Sequence, residues 1–417
     1  MRRVLMLHYY FPPIGGMGSV RAAKLAAHLP AAGWVPTVVA PRHATHHEDP
    51  SLVASDVTVV RTAQLARRAG AVGPVPTPAA GAQSRPLAAQ LRAWTHRWLY
   101  RPDAQIGWYG FALAAARRVL RRERADVLFS SSNPLTAHLV ARRLHRETGL
   151  PWVAEFRDLW TDWDTGGWRA RRDGALERGL LADATAVVTV SPTYADALRR
   201  RGARHVSVVT NGFDPAEMPS LRPDTGATVA YLGTFYPERQ DLRTPFAALA
   251  RLVRSGELPD LRVRVIGDFT PALAAVVDAC GLGQHVEPLG FLPHAASLAA
   301  LARAGLLLLA GPTTRDAAVL AGNVAGKTFE YLGVGRPILH VGAPESDLAR
   351  MLRPFQHVQT VAPGDVDGAE RAVRVLLRGP AEPAPQPELD AFTHRALAGR
   401  LAAVLAEACG TREAVAC

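Results

Sequence analysis

The 417-residue sequence predicts an α/β protein made of two doubly wound, parallel-sheet domains that face each other across a cleft. Three observations carry that prediction. Short β-branched or aliphatic runs alternate with longer helical patterns from one end to the other. The alternation breaks once, at a Pro/Gly cluster after residue 210, and then restarts. The length suits two domains, each able to bury its own core.

In the first half the strand candidates are Val4–His8, Thr37–Ala40, Val57–Arg61, Val127–Ser130, Trp152–Phe156, Ala186–Val190 and Val206–Thr210. Helical patterns fall between them, over Ser19–Leu29, Gly110–Arg122, Thr136–Thr148 and Thr193–Arg200. Asn211-Gly212-Phe213-Asp214-Pro215, followed by Pro219, Pro223 and Gly226, reads as an interdomain hinge. The second half offers strands at Val229–Leu232, Val263–Ile266, Val286–Pro288, Gly305–Ala310, Pro337–His340 and His357–Val361. Its helices are expected over Pro245–Ser255, Ala272–Ala279, Ala296–Arg303, Lys327–Leu332 and Asp347–Leu352. The Pro-rich stretch Gly379–Pro387 sets off a last helix, about Leu389–Ala408. The expected division is therefore 1–218, 219–386 and a C-terminal helix in 387–417. Residues 69–86 read as a loop leading into Leu87–Tyr100, where Leu87, Leu91, Trp94 and Trp98 share a helical face. That helix is either an ordinary one covering the first domain or a basic, aromatic helix lying on a membrane surface.

Composition narrows the class. The chain is 48% hydrophobic and 20% charged, as soluble globular proteins are, with no apolar run long enough to span a bilayer. Met1-Arg2-Arg3 before a short apolar run has the outline of a signal peptide, but no small-residue cleavage site follows, and a first strand is the reading adopted. Cys280, Cys409 and Cys417 match neither a disulfide framework nor a metal site, so a reducing cytoplasmic setting is expected. The net charge of +11 invites a nucleic-acid partner. That reading is set aside because the cations are almost all Arg scattered through amphipathic helices; Lys24 and Lys327 are the only lysines.

Four places carry candidate chemistry. The first strand runs into Phe11-Pro12-Pro13-Ile14-Gly15-Gly16-Met17-Gly18-Ser19 and then a helix, so glycines at a strand-to-helix turn could bring backbone N–H groups against a phosphate. The dinucleotide fingerprint fails there, since Arg21 stands at its last glycine and no acid closes the second strand. The second domain opens with Tyr231-Leu232-Gly233-Thr234, with Arg239 close behind as a bidentate clamp for a diphosphate. Lys327 and Glu330 lie three apart on one short helix. A cation at a helix start runs against the dipole, a mismatch that a bound phosphate would offset, and Glu330 can accept two hydrogen bonds from a diol such as ribose. The alternative is a plain amphipathic helix with solvated charges. Finally, Arg157-Asp158 sits at a strand's carboxyl end, as either a surface ion pair or an acceptor-facing catalytic pair.

The ordered succession Tyr-Tyr-Phe-Pro-Pro-x-Gly-Gly, Pro102-Asp103-Ala104-Gln105, Ser131-Ser132-Asn133-Pro134, Phe156-Arg157-Asp158-Leu159-Trp160, Thr210-Asn211-Gly212-Phe213-Asp214, Tyr231-Leu232-Gly233-Thr234 and Lys327-Thr328-Phe329-Glu330-Tyr331-Leu332 resembles family 4 of the retaining glycosyltransferases over nearly the whole chain. The resemblance implies the GT-B fold of two Rossmann-like domains, with a nucleotide-diphosphate sugar held mainly by the second and an acceptor by the first. In that fold the last helix crosses back to the first domain. By position it puts Glu330 on the donor ribose, Arg239 on the diphosphate and Gly16 near the diphosphate and the transferred sugar; Gly15, Thr234 and Lys327 complete the donor-binding candidates. Arg157 and Asp158 stand as the catalytic candidates. No metal and no cofactor is expected; Asp162-Trp163-Asp164 spells a metal-binding pattern but is read as incidental.

The donor is expected to be UDP- or GDP-linked. The acceptor is an envelope polysaccharide, a lipid-linked sugar or a small secondary metabolite, and peripheral contact with the inner face of the membrane is the alternative to a purely cytoplasmic location. Three positions depart from the family pattern. Gly322 stands where the first glutamate of the E-x7-E motif would contact the sugar, Thr234 replaces an Arg, and Ser131 replaces a His. Rival readings are a sugar-nucleotide epimerase or hydrolase of the same fold, or a non-catalytic nucleotide-sugar-binding protein.

Overall fold

The computed structural model describes residues 1–42, 57–65, 101–161, 168–314, 318–379 and 386–415. The loop 69–86, the helix expected over Leu87–Tyr100 and the Asp162–Asp164 pattern lie outside the described residues. Seven strands form the first sheet: β1 Arg2–Leu7, β2 Trp34–Pro41, β3 Thr58–Thr62, β4 Val127–Ser132, β5 Trp152–Phe156, β6 Ala186–Thr189 and β7 Val206–Val208. Their order is β3-β2-β1-β4-β5-β6-β7. Six more form the second: β8 Thr228–Leu232, β9 Arg262–Ile266, β10 Val286–Gly290, β11 Leu306–Ala310, β12 Ile338–Val341 and β13 Val358–Val361, in the order β10-β9-β8-β11-β12-β13. Every pairing is parallel, with Val4 of β1 opposite both Pro36 of β2 and Val127 of β4.

Parallel strands buried on both faces need apolar residues at consecutive positions, which is why Val-Leu-Met-Leu in β1 and Leu-Leu-Leu-Leu-Ala in β11 are buried throughout. Each sheet reverses its strand order once, between β1 and β4 and between β8 and β11. Crevices that bind ligands in doubly wound sheets open at the carboxyl ends of the strands at these reversals. Both crevices open onto the same interdomain space, described below.

Among the described residues, three helices lie in stretches where none was expected, one of them the single turn Ala318–Ala321. Trp168–Asp183 contains two glycines and a dense set of charges, which blur its apolar stripe. Val366–Arg378 did carry the signal, with Ala369, Ala372, Val373 and Leu376 buried at helical spacing and Asp365 capping its first turn by accepting from the Gly368 N–H at 2.8 Å. The last helix begins later than expected, at His394, after a 3₁₀ turn over Pro387–Phe392. Its Leu397, Leu401 and Leu405 join Val4, Leu25, Ala26 and Phe129 in one core cluster of the first domain.

The chain crosses between the domains twice at one place. Phe213 donates its N–H to Phe392 O at 3.1 Å and accepts from the His394 N–H at 2.9 Å. A Cβ on Gly212 would stand 2.4 Å from Leu397 Cδ1, so glycine is what lets the two crossings touch. Among the described residues, no helix is long and apolar enough to cross a membrane.

Candidate active site

The first wall of the site starts at β1. The loop after it ends at Gly16, whose φ of +97° is open to glycine and which stands just before the helix Met17–His28. A Cβ on Gly18 would come within 2.5 Å of Arg157 Nη1, so the first turn of this helix is bare enough for a guanidinium to lie across it. Arg157, one residue past β5, donates from Nε to Ser132 O at 2.7 Å and from Nη2 to Asn133 O at 3.2 Å. Asp158 accepts from Asn133 Nδ2 at 3.2 Å, and its burial pushes the carboxyl pKa up against the pull of Arg157 and Arg239. Arg157 and Asp158 therefore bond to the β4 loop; the reading of them as a surface ion pair is not what the structure shows.

Beneath this wall, Arg21 donates from Nη2 to Glu155 at 2.8 Å and to Val209 O at 2.8 Å, tying the helix to β5 and to the hinge strand. Ser131, at the position where the family resemblance expects a histidine, spends its hydroxyl on Glu155 at 2.5 Å.

The second wall starts at β8. Gly233 turns with a φ of +113°, and the Thr234 hydroxyl donates to Asp268 at 2.8 Å. Lys327, at the first position of the helix Lys327–Val334, reaches back to this turn. Its ammonium donates to Leu232 O at 2.7 Å and lies 4.4 Å from the Tyr231 ring centroid. Burial lowers its pKa from the ordinary 10.5 to about 7. One turn on, Glu330 is buried and meets His294 Nε2 at 2.7 Å through Oε1. The plain amphipathic reading of this helix, with solvated charges, is thereby overturned. Arg239 stands over the Tyr236 ring at 5.2 Å and pairs with Glu238 at 3.3 Å.

A cavity of about 510 Å³ joins the two walls. Gly16, Arg157, Asp158, Thr234, Arg239, Lys327 and Glu330 all line it, so seven of the eight candidates converge; Gly15 falls outside the lining. His294, Tyr194 and Asn323 also line it and carried no recognisable signal in the sequence, whereas Asn211 lies within the Thr210-to-Asp214 motif of the resemblance. The departure at Gly322 has a steric cause. A Cβ there would stand 2.4 Å from Tyr194 Cδ1 and 2.6 Å from Cε1, so the Tyr194 ring fills the space any side chain would need.

Residues 15–212 match the glycosyl transferase 4-like domain. No curated protein matches the chain by sequence. Among solved structures, the chain is similar to AviGT4, a glycosyltransferase involved in avilamycin A biosynthesis, at 14% identity and a TM-score of 0.58, covering 98% of each chain. It is also similar to the lipopolysaccharide outer core galactosyltransferase WaaB, at 14% identity and 0.57, covering 97% of this chain and 99% of that one. A putative UDP-N-acetylglucosamine 2-epimerase from Listeria monocytogenes is similar too, at 13% identity and 0.56, covering 97% and 95%. These likenesses show the GT-B fold. With the domain match over 15–212, the chain has the make-up of a transferase enzyme.

Proposed function

We propose that this glycosyltransferase 4-like chain moves a sugar from a nucleotide-diphosphate donor to an acceptor with retention at the anomeric carbon. The observation that carries the reading is the shared cavity, with Lys327, Arg239 and Glu330 on one wall and Arg157 and Asp158 on the other. The two cations and the amides at the start of the Lys327–Val334 helix are set to hold the diphosphate. Charge grows on the leaving phosphate as its bond to the sugar breaks, and preorganised cations stabilise that charge more than they stabilise the ground state. Glu330, fixed by His294, is set to take the ribose hydroxyls. On the first domain, Asp158 faces the reacting carbon and orients the incoming acceptor hydroxyl, whose proton leaves on the departing phosphate oxygen.

The donor is expected to be a UDP- or GDP-sugar, and the acceptor an envelope glycan, a lipid-linked sugar or a small metabolite. No resident cofactor or metal enters this reading. The test is turnover with a nucleotide-sugar panel and an acceptor pool. Lys327→Met and Glu330→Ala each abolish sugar transfer while the protein stays folded; wild-type turnover in either variant overturns the assignment. The epimerase-like neighbour supports a second reading, conversion of the donor alone. Mass analysis with and without acceptor separates the two.

A further inference from the structure

The helix Pro192–Arg200, which follows β6 in the first domain, has a first turn that its own domain does not complete. Pro192 brings no N–H, and the Tyr194 N–H goes to the Ser191 hydroxyl at 3.4 Å. The Thr193 N–H goes to the second domain instead. It donates to Asp347 Oδ2 at 2.8 Å, and the Thr193 hydroxyl donates to Oδ1 at 2.9 Å. Asp347 is 4% exposed and opens the helix Asp347–Leu352, where Arg350 pairs with the same carboxylate. A carboxylate so placed caps an orphan amide at the positive end of a helix in the facing domain, where negative charge is favoured.

The next residue makes a second joint. Tyr194 donates its hydroxyl to Val319 O at 2.9 Å, and its ring fills the space that a side chain at Gly322 would need. Val319 lies in the single turn Ala318–Ala321 of the second domain, yet it packs into the first domain's core with Leu135, Phe156, Leu159 and Leu198. The same segment runs on to Gly326, where a Cβ would come within 2.7 Å of Met17 Cε, and then into Lys327. Two stretches of the second domain, one after β11 and one after β12, are thus bound by two adjacent residues of the first. When the domains part, the Asp347 carboxylate loses two donors at once and Val319 leaves an apolar core for water.

We infer that Thr193, Tyr194 and Asp347 form an interdomain latch, positioning residues that hold the cleft closed with its two walls facing each other. They act through the placement of Arg157 and Asp158 opposite Lys327, Arg239 and Glu330, a consequence that rests on the transfer reading above. Hydrogen bonds to a buried carboxylate are among the stronger ones. Removing the hydroxyls of Thr193 and Tyr194 shifts the ratio of closed to open forms by about 10- to 100-fold.

The test is amide hydrogen exchange on the full chain without ligand, wild type against Thr193→Val/Tyr194→Phe, which removes both hydroxyls and keeps both shapes. Exchange rises about 10-fold in residues 191–200 and in residues 318–326, while β4 and β11 keep their wild-type rates. Asp347→Ala, made on the other side of the cleft, also speeds exchange in 191–200, and Thr193→Ser, which keeps the hydroxyl, matches wild type. In turnover with UDP- and GDP-sugars, kcat of the double variant falls at least 2-fold while the Kd for UDP or GDP, held by the second wall, stays within 2-fold. Thr193→Ser retains the wild-type kcat. Should the double variant unfold, Thr193→Val alone must show the same contrast between those two segments and the strands. Wild-type exchange in 318–326, faster exchange in β4 and β11 as well, or an unchanged kcat overturns the latch. If exchange changes as expected but the wild-type chain transfers no sugar, the transfer reading fails and the latch stands.

Discussion

Lys327 makes donor binding depend on pH in a direction that can be worked out beforehand. Burial holds its pKa near 7 in the unliganded protein, against an ordinary 10.5. A diphosphate placed beside it favours the ammonium and restores a higher pKa in the complex. Above pH 7 the free protein must then take up a proton in order to bind, so affinity falls as pH rises. With half the side chain charged at pH 7 and about 1% at pH 9, the loss over that interval is about 50-fold, or roughly 2 kcal/mol. A nucleotide sugar is the right ligand, because its diphosphate has no group titrating in this range. Calorimetry in buffers of different ionisation enthalpy should also record an uptake of about 0.9 proton per ligand at pH 8, the neutral fraction of a group with a pKa near 7. Lys327→Met must flatten both the affinity profile and the proton uptake. A flat wild-type profile between pH 7 and 9, or an unchanged slope in the variant, refutes the placement of the diphosphate at Lys327.

Three further outcomes follow from the same structure. For folding, the sign of the Lys327 contribution is opposite: the unfolded chain binds the extra proton between pH 7 and 10.5, so the group costs stability below pH 7 and that cost fades as pH rises. Lys327→Met therefore unfolds at higher temperature than wild type without ligand at pH 6, and the gap narrows by pH 9 as the cost of the buried charge fades. Glu330→Gln weakens a UDP-sugar by about 1–3 kcal/mol and removes most of the discrimination against the 2′-deoxy nucleotide, measured by competition titration. Arg21→Met leaves the buried Glu155 with the Ser131 hydroxyl but without its ion-pair partner, which costs about 3–5 kcal/mol of unfolding free energy in urea titration; a loss under 1 kcal/mol would deny that this pair ties the helix to the sheet.

The thirteen described strands were legible to within about three residues, most plainly the central ones, which are parallel and buried. Such strands need continuous apolar runs, which short stretches such as Val127–Ser130 and Trp152–Phe156 display without help from neighbours. Helices depended more on composition. The glycines of Trp168–Asp183 hid its periodicity, whereas the spacing in Val366–Arg378 was present and went unassigned.

At the site, residues named from glycine turns and from the Lys327–Glu330 spacing converge, because backbone geometry at a strand's carboxyl end is written locally. What could not be read was tertiary. Nothing near His294 announces that it meets Glu330 across 36 residues. Nothing near Gly322 shows that Tyr194, far away in the chain, occupies its side-chain space. The low pKa of Lys327 likewise depends on burial beneath Gly233 and against Tyr231, in a different element.

Glycosyl transfer from a donor bound at Lys327, Arg239 and Glu330 is tested by mass-resolved product analysis of the wild-type chain, given nucleotide sugars with and without an acceptor pool. One nucleoside diphosphate is released for each acceptor that gains a sugar, with the donor's anomeric configuration retained and no such product from Lys327→Met. An isomerised or hydrolysed donor formed equally well without acceptor would contradict it.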